Sequence, residues 1–342
     1  MGTNLTIKDI ARIAGVSHST VSRALNGSPL ISAATGERIR CIARERGFEF
    51  NAGARRLKNR RTGIVGVVYY SALNDFRASL YTNELFRDLR HGLEAVELDA
   101  LVVEAYDAAS GASNIERLIR QAKVDGFVII HPEIRREDYG LIQSSGLPTV
   151  HLHMASEAVP RGTTDFFFTD GYHGGRLAAR RLVDQGCRRI MTVRTCRRES
   201  PEFRRRTEGF LSVVRETDLH SVRDASLVWS STYESGTRLF GEQRERILAC
   251  DGLFFQADIV AFGFLNSLRG TGIRVPEDIR VIGYDDSPVS RLSLPPLTTI
   301  HQPREELARR ACERMRSLLF DGTPGESVRE YVKPSLTIRD SG

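Results

Sequence analysis

From residue 63 onward, nine short apolar runs alternate with longer stretches of helical spacing, and few architectures accommodate that rhythm. The runs cover residues 64–70, 100–106, 126–130, 149–153, 165–168, 189–194, 226–229, 253–255 and 280–284. Their length suits strands buried on both faces. Helical patterns lie between them at 83–98, 114–123, 137–144, 172–185, 202–217, 234–249, 259–269 and 304–320. Strands joined through helices predict parallel, doubly wound sheets. Nine strands are many for one sheet, so two lobes are expected, and 342 residues at 41% hydrophobic content suffice to pack them. Ligands of such sheets bind beside the carboxyl ends of the strands, here in a cleft between lobes.

The first sixty residues have a different texture. One helix fits residues 7–14, with Thr6 as N-cap and Ile7, Ile10, Ala11 and Ala14 on one face. Gly15 gives the backbone freedom for a tight turn, and Val16 plugs the angle. Ser17 caps a second helix with Val21, Ala24 and Leu25 inside and His18, Ser19, Ser22, Arg23 and Asn26 outside. A third helix is expected over 32–46, stopped by Gly47. Residues 1–61 hold 12 Lys and Arg against 4 Asp and Glu, a net of +8. The remaining residues hold 37 against 39, a net of −2. Positive charge is thus confined to the segment with the outward polar helix, as a phosphate-seeking module requires.

Thr6-Ile7-Lys8-Asp9-Ile10-Ala11, Ala14-Gly15-Val16-Ser17, Thr20 to Gly27 and Gly47-Phe48 resemble the DNA-binding headpiece of the lactose/galactose repressor family of bacterial transcription regulators. The similarity continues through Val281-Ile282-Gly283-Tyr284-Asp285-Asp286 and Pro295-Pro296-Leu297-Thr298-Thr299-Ile300-His301-Gln302, and so spans nearly the whole chain. It implies an all-α helix-turn-helix headpiece followed by a bilobed α/β, periplasmic-binding-protein-like domain with two parallel sheets. The expected divisions are a headpiece at 1–50 and a hinge helix and linker at 51–62. An N-terminal lobe is expected from 63–160 with 288–322, and a C-terminal lobe from 161–287 with 323–342, the chain crossing near 160, 288 and 323. The resemblance further implies a homodimer on a pseudo-palindromic double-stranded operator, controlled by a small-molecule effector. Repression is the expected sign.

Within that resemblance His18, Ser19 and Arg23 fall where base readers stand, and a guanidinium suits bidentate contact to guanine. Thr6, Ser17, Thr20, Ser22 and Asn26 match positions that contact the DNA backbone, which orient the helix without reading sequence. Ala54, Arg55 and Leu57 fall in a segment that becomes helical on operator, with Leu57 as a minor-groove wedge. Gly53 departs from the pattern and weakens that helix by roughly 1 kcal/mol against alanine.

In the cleft, Arg206 and Asp285 match effector-contacting positions. Two departures stand out, His153 where an aspartate is expected and Ala257 where an asparagine is. Arg194, Arg197, Arg198, Arg204 and Arg205 crowd around Arg206 in sequence. Together these features predict a sugar or sugar-derived effector, anionic if the arginines line the pocket. Trp229 is a candidate stacking surface, and the segment from Tyr69 to Tyr81 is longer than the usual loop.

Gly171-Tyr172-His173-Gly174-Gly175 lacks the leading Gly-x-Gly of a dinucleotide loop and reads as glycines packing a helix start against a strand. No HExxH, GxSxG or Walker pattern occurs, and His131, His151 and His153 have no evident metal partners. No enzyme, cofactor or metal is therefore expected. Five cysteines without a CxxC fit reduced thiols, and no apolar run approaches membrane length, so a cytoplasmic location is expected. A periplasmic-type solute-binding protein would share the bilobed architecture but carry a signal peptide and no basic headpiece. A Rossmann-type enzyme would need a phosphate loop.

Overall fold

The computed structural model describes residues 5–25, 28, 30–46, 48, 61–69, 80–130, 134–153, 159, 164–195, 201–217, 219, 226–321 and 326–342. The chain divides into two compact units, Met1–Thr62 and Gly63–Gly342.

The first unit contains helices α1 (Ile7–Ala14), α2 (His18–Leu25) and α3 (Ala33–Glu45). The Asp9 carboxylate accepts from the Thr6 N–H at 3.0 Å and the Thr6 hydroxyl at 2.6 Å, fixing the start of α1. Gly15 ends the helix at φ +64°, the left-handed region that glycine enters without steric cost. Ser17 Oγ accepts from the Thr20 N–H at 3.1 Å and opens α2, while Ser32 does the same for α3 through Thr35. Ile10, Ala11, Ala14, Val21, Ala24 and Ile39 form the core, with Val16 and Ile42 packed against it. In so small a core each large aliphatic contributes about 1.5–3 kcal/mol.

The second unit contains strands β1 (Ile64–Tyr69), β2 (Asp99–Glu104), β3 (Gly126–Ile130), β4 (Thr149–Leu152), β5 (Asp165–Thr169), β6 (Ile190–Thr195), β7 (Ser226–Trp229), β8 (Gly252–Phe255), β9 (Arg280–Asp285), β10 (Thr298–His301), β11 (Arg329–Val332) and β12 (Ser335–Thr337). They make two six-stranded sheets, in the orders β11-β5-β4-β3-β1-β2 and β12-β10-β9-β8-β6-β7. All pairings are parallel except β10 with β12. Each sheet has its switch point beside its first strand, between β1 and β3 or between β6 and β8. Every residue of β3, β4, β5 and β8 is buried, because helices cover both faces.

All nine expected strands occur, and three more, β10, β11 and β12, follow. The expected crossings at 160, 288 and 323 each lie further along the chain, the second by the most. Asp165–Thr169 falls within the expected second lobe, but it pairs with β4, so the first crossing follows Thr169. Strand β10 pairs with β9, so the second lies between His301 and the helix Arg304–Phe320, which packs on the first sheet. Strand β11 pairs with β5 and β12 with β10, which puts the third between Val332 and Ser335. The lobe boundaries move accordingly. Short strands next to crossings carry little periodicity of their own, and only their pairing assigns them.

Candidate DNA-reading face and effector cleft

On α2, His18, Ser19 and Arg23 are exposed, and Thr20 and Ser22 are half-buried. Val21 and Ala24 face the core, so the helix presents its short polar groups and one guanidinium outward. The Ser17 hydroxyl lies 2.8 Å from both Ser19 Oγ and Thr20 Oγ1, a local network that holds the first turn. Thr6 is engaged by Asp9, and its hydroxyl serves the helix start. Asn26, Ala54, Arg55 and Leu57 lie outside the described residues, as do Gly47 and Gly53.

Between the lobes of the second unit lies a cleft of about 470 Å³, partly open to solvent. Leu80, Tyr81, Thr82 and His153 line it from one lobe, and Phe203, Arg206, Ser231, Ala257, Ile259, Asp285 and Ser287 from the other. Most stand just beyond carboxyl ends of strands, where doubly wound sheets bind ligands. Arg206 is 2% exposed. Its Nη1 donates to the Gln256 carbonyl at 2.7 Å, and its guanidinium carbon lies 3.7 Å from the Tyr284 ring centre and 4.4 Å from that of Phe203. One hydrogen bond and two aromatic faces therefore hold it in one orientation. Its Nε has no hydrogen-bond partner among the described residues.

Asp285 ends β9 at φ +123° and accepts from Gln302 Nε2 at 2.7 Å. Burial pushes its carboxyl up to about 6 against the lowering pull of Arg206. Asp258, fully buried behind it, accepts from the Ser287 N–H at 2.9 Å and Thr299 Oγ1 at 2.6 Å. Burial and the charge of Asp285 push Asp258 well above the usual carboxylate range. His153 stands at φ +70° with its ring 4.5 Å from that of Tyr81. Burial, and then the charge of Arg206, hold it down at about 3, so it is neutral. Among the described residues the lining thus offers one cation, a carboxylate from the same lobe, a neutral imidazole from the other, and apolar surface from Leu80, Phe203, Ala257 and Ile259.

The structure brings Arg206, Asp285 and His153 together and leaves the other expected cleft residues aside. Trp229 packs on the second-lobe core and donates its indole N–H to the Ser235 carbonyl at 2.7 Å, so it is no part of the cleft lining. Arg194, at the end of β6, and the exposed Arg204 do not line it either. Arg205 pairs with Asp170 at 3.0 Å and lies 4.7 Å over the Tyr331 ring. Arg197 and Arg198 lie outside the described residues, as does His131. Neighbours on a helix point in different directions, so of the three consecutive arginines Arg204, Arg205 and Arg206 only Arg206 reaches the cleft. The glycines near 171 have two partners: Gly174 abuts Tyr284 of β9, but Gly171 and Gly175 abut the backbone of the helix Pro201–Glu216. Tyr81, Phe203 and Ser287 were missed. Tyr81 belongs to the helix Leu80–Ala95, which begins three residues before the expected start, and residues 70–79 lie outside the described set.

Residues 6–51 match the family described as bacterial regulatory proteins, lacI family, and residues 179–342 match the periplasmic binding protein-like domain. The HTH-type transcriptional regulator CelR of Thermobifida fusca is 30% identical over 347 residues, covering 98% of each chain. The ribose operon repressor of Escherichia coli (strain K12) is 30% identical over 308 residues, covering 90% of this chain and 91% of that one. Among solved structures, a transcriptional regulator CelR–cellobiose complex matches with a TM-score of 0.71 at 27% identity, covering 99% of this chain and 100% of the other. A lac repressor dimer bound to operator and the anti-inducer ONPF matches in fold, with a TM-score of 0.74 at 22% identity and 99% of each chain covered.

Proposed function

The chain belongs to the lacI family of bacterial regulatory proteins, and on that premise we propose that it is a repressor whose hold on its operator is set by a neutral sugar bound between its lobes. It acts in the cytoplasm as a homodimer, each headpiece taking one half of a pseudo-palindromic site. His18, Ser19 and Arg23 read bases in the major groove, while Thr6, Ser17, Thr20, Ser22 and Asn26 contact the backbone. Ala54, Arg55 and Leu57 enter the minor groove at the centre, Leu57 as the wedge. The chain performs no catalysis.

The observation that carries the effector reading is that Arg206 and Asp285, both from the second lobe, line one cleft together. A guanidinium donates to ring and hydroxyl oxygens, and a buried carboxylate accepts from hydroxyls. Their charges cancel, so a neutral polyol leaves neither unpaired. Among the described residues an anion would have to share the one lining arginine, Arg206, with Asp285, which argues against the sugar phosphate or sugar acid that the arginine run suggested. The relatives add support, since one is a ribose operon repressor and one solved regulator holds cellobiose. Footprinting on the chain's own upstream DNA tests the operator reading. Calorimetry against cellobiose, ribose and ribose 5-phosphate tests the effector reading. Binding of the phosphorylated sugar alone would overturn neutrality.

A further inference from the structure

Asp285 is held by a side chain that also touches the opposite lobe. Gln302 is fully buried at the second crossing, and its Nε2 donates to Asp285 Oδ1 at 2.7 Å. Its Oε1 accepts from Thr169 Oγ1 at 2.8 Å. Thr169 is the last residue of β5, in the first lobe at the first crossing, whereas Asp285 ends β9 in the second. Polarity fixes the amide's orientation: a carboxylate accepts only from the NH₂ end, which leaves the oxygen for the hydroxyl. Asp285 and Asp286 stand at φ +123° and +52°, conformations that persist only where neighbours over-determine them. Asp286 is pinned within the second lobe, by Arg339 at 2.6 Å and His301 at 3.1 Å. Asp285 alone is tied to a group that reaches across.

We propose that Gln302 is a positioning residue that couples effector capture to lobe movement, holding the Asp285 carboxylate with its nitrogen and sensing the first lobe with its oxygen through Thr169. The proposal rests on Asp285 contacting the effector. Any rotation of the lobes that separates Thr169 from Gln302 leaves the amide two options. It follows Thr169 and releases Asp285, or it keeps Asp285 and leaves the threonine hydroxyl unpaired in a buried site. Either option links the geometry of the ligand-gripping carboxylate to the angle between lobes, so a ligand held by Asp285 favours the lobe arrangement in which all three groups are joined.

The test uses the full chain without ligand. Spin labels go on exposed sites of the two lobes through Arg120→Cys and Glu245→Cys, in a background of Cys41→Ser and Cys196→Ser. Electron–electron resonance then gives the interlobe distance distribution. Thr169→Val keeps shape and cuts the link, and Thr169→Ser restores the hydroxyl. The expected result is a several-fold rise in the minor distance population for Thr169→Val, and a distribution like that of the parent for Thr169→Ser. Gln302→Met, similar in length but without the amide, should match Thr169→Val and gives a second arm if the valine variant folds poorly. With cellobiose as probe, Thr169→Val should bind about tenfold more weakly through loss of the competent population. Superimposable distributions for the parent, Thr169→Val and Gln302→Met overturn the relay. A parent chain that binds no sugar overturns the effector reading alone, because the label distances need no ligand.

Discussion

The carbonyl oxygen of Arg206 lies 2.0 Å from where the first side-chain carbon of any residue at Gly175 would stand. The helices Gly171–Asp184 and Pro201–Glu216 therefore meet backbone to backbone, and the cleft arginine is positioned by that contact. Gly175→Ala should force the helices apart, with a cost of about 1–3 kcal/mol in stability. It should also weaken effector binding while leaving the headpiece folded. Thermal unfolding and calorimetry on the same preparation check both; unchanged effector binding would show that Arg206 does not depend on this contact.

Arg206→Lys keeps the charge but gives up the planar fork that stacks on Tyr284 and Phe203. Effector affinity should fall at least a hundredfold, about 3 kcal/mol. Operator binding by the unliganded chain should be unaffected. A lysine variant that binds sugar as tightly as the parent would reduce Arg206 to a structural role.

His151 is wholly buried between Tyr139 and Phe166, with ring centres 5.6 and 4.9 Å away, and neither ring nitrogen has a hydrogen-bond partner among the described residues. His151→Phe should stabilise the second unit by about 1–3 kcal/mol by removing those unsatisfied groups. Burial holds His151 down at about 3, below its ordinary 6.5, so the unfolded chain binds the extra proton between these values. The parent's stability should be full above pH 6.5 and decline as pH falls toward 3, and the phenylalanine variant should decline less. Denaturant titrations at pH 7 and pH 4.5 give the comparison, and equal losses in the two proteins would contradict it.

Asp285 has the opposite sign. Its folded value of about 6 lies above the ordinary 3.8, so its buried charge destabilises the fold as pH rises through that interval. Asp285→Asn should therefore be more stable near pH 7, by about 1–3 kcal/mol, and should lose effector binding. A variant that is both less stable and still responsive would refute the assignment.

Arg23→Ala should cost about 1–3 kcal/mol per half-site and relax preference at one base pair. Selection of binding sites from a random pool, for parent and variant, provides the readout. A uniform loss across all sequences would make Arg23 a phosphate contact instead.

How far these sites were legible differs by residue. Ile10, Ala14 and Val21 declared their core through helical spacing, and His18, Ser19 and Arg23 declared the outer face by exclusion from it. The nine strands were legible because parallel strands are continuously apolar. The crossings were not, since Thr169, Gln302 and Val332 differ from their neighbours only in what lies across space. Arg206 and Asp285 were found through family resemblance. The direction of Arg205, away from the cleft and toward Asp170, depends on a tertiary partner that spacing cannot supply. Trp229 misled for the same reason, because its indole N–H is spent on Ser235.

The chain passes between lobes after Thr169, His301 and Val332, at the carboxyl ends where the cleft residues also stand. Recognition chemistry and mechanical pivot therefore occupy the same few residues. Whoever recasts this protein as a sensor for a new metabolite will find that a substitution chosen for affinity also changes responsiveness. Variants selected for tight binding alone will include many that bind and do not switch. The productive search selects on switching from the first round.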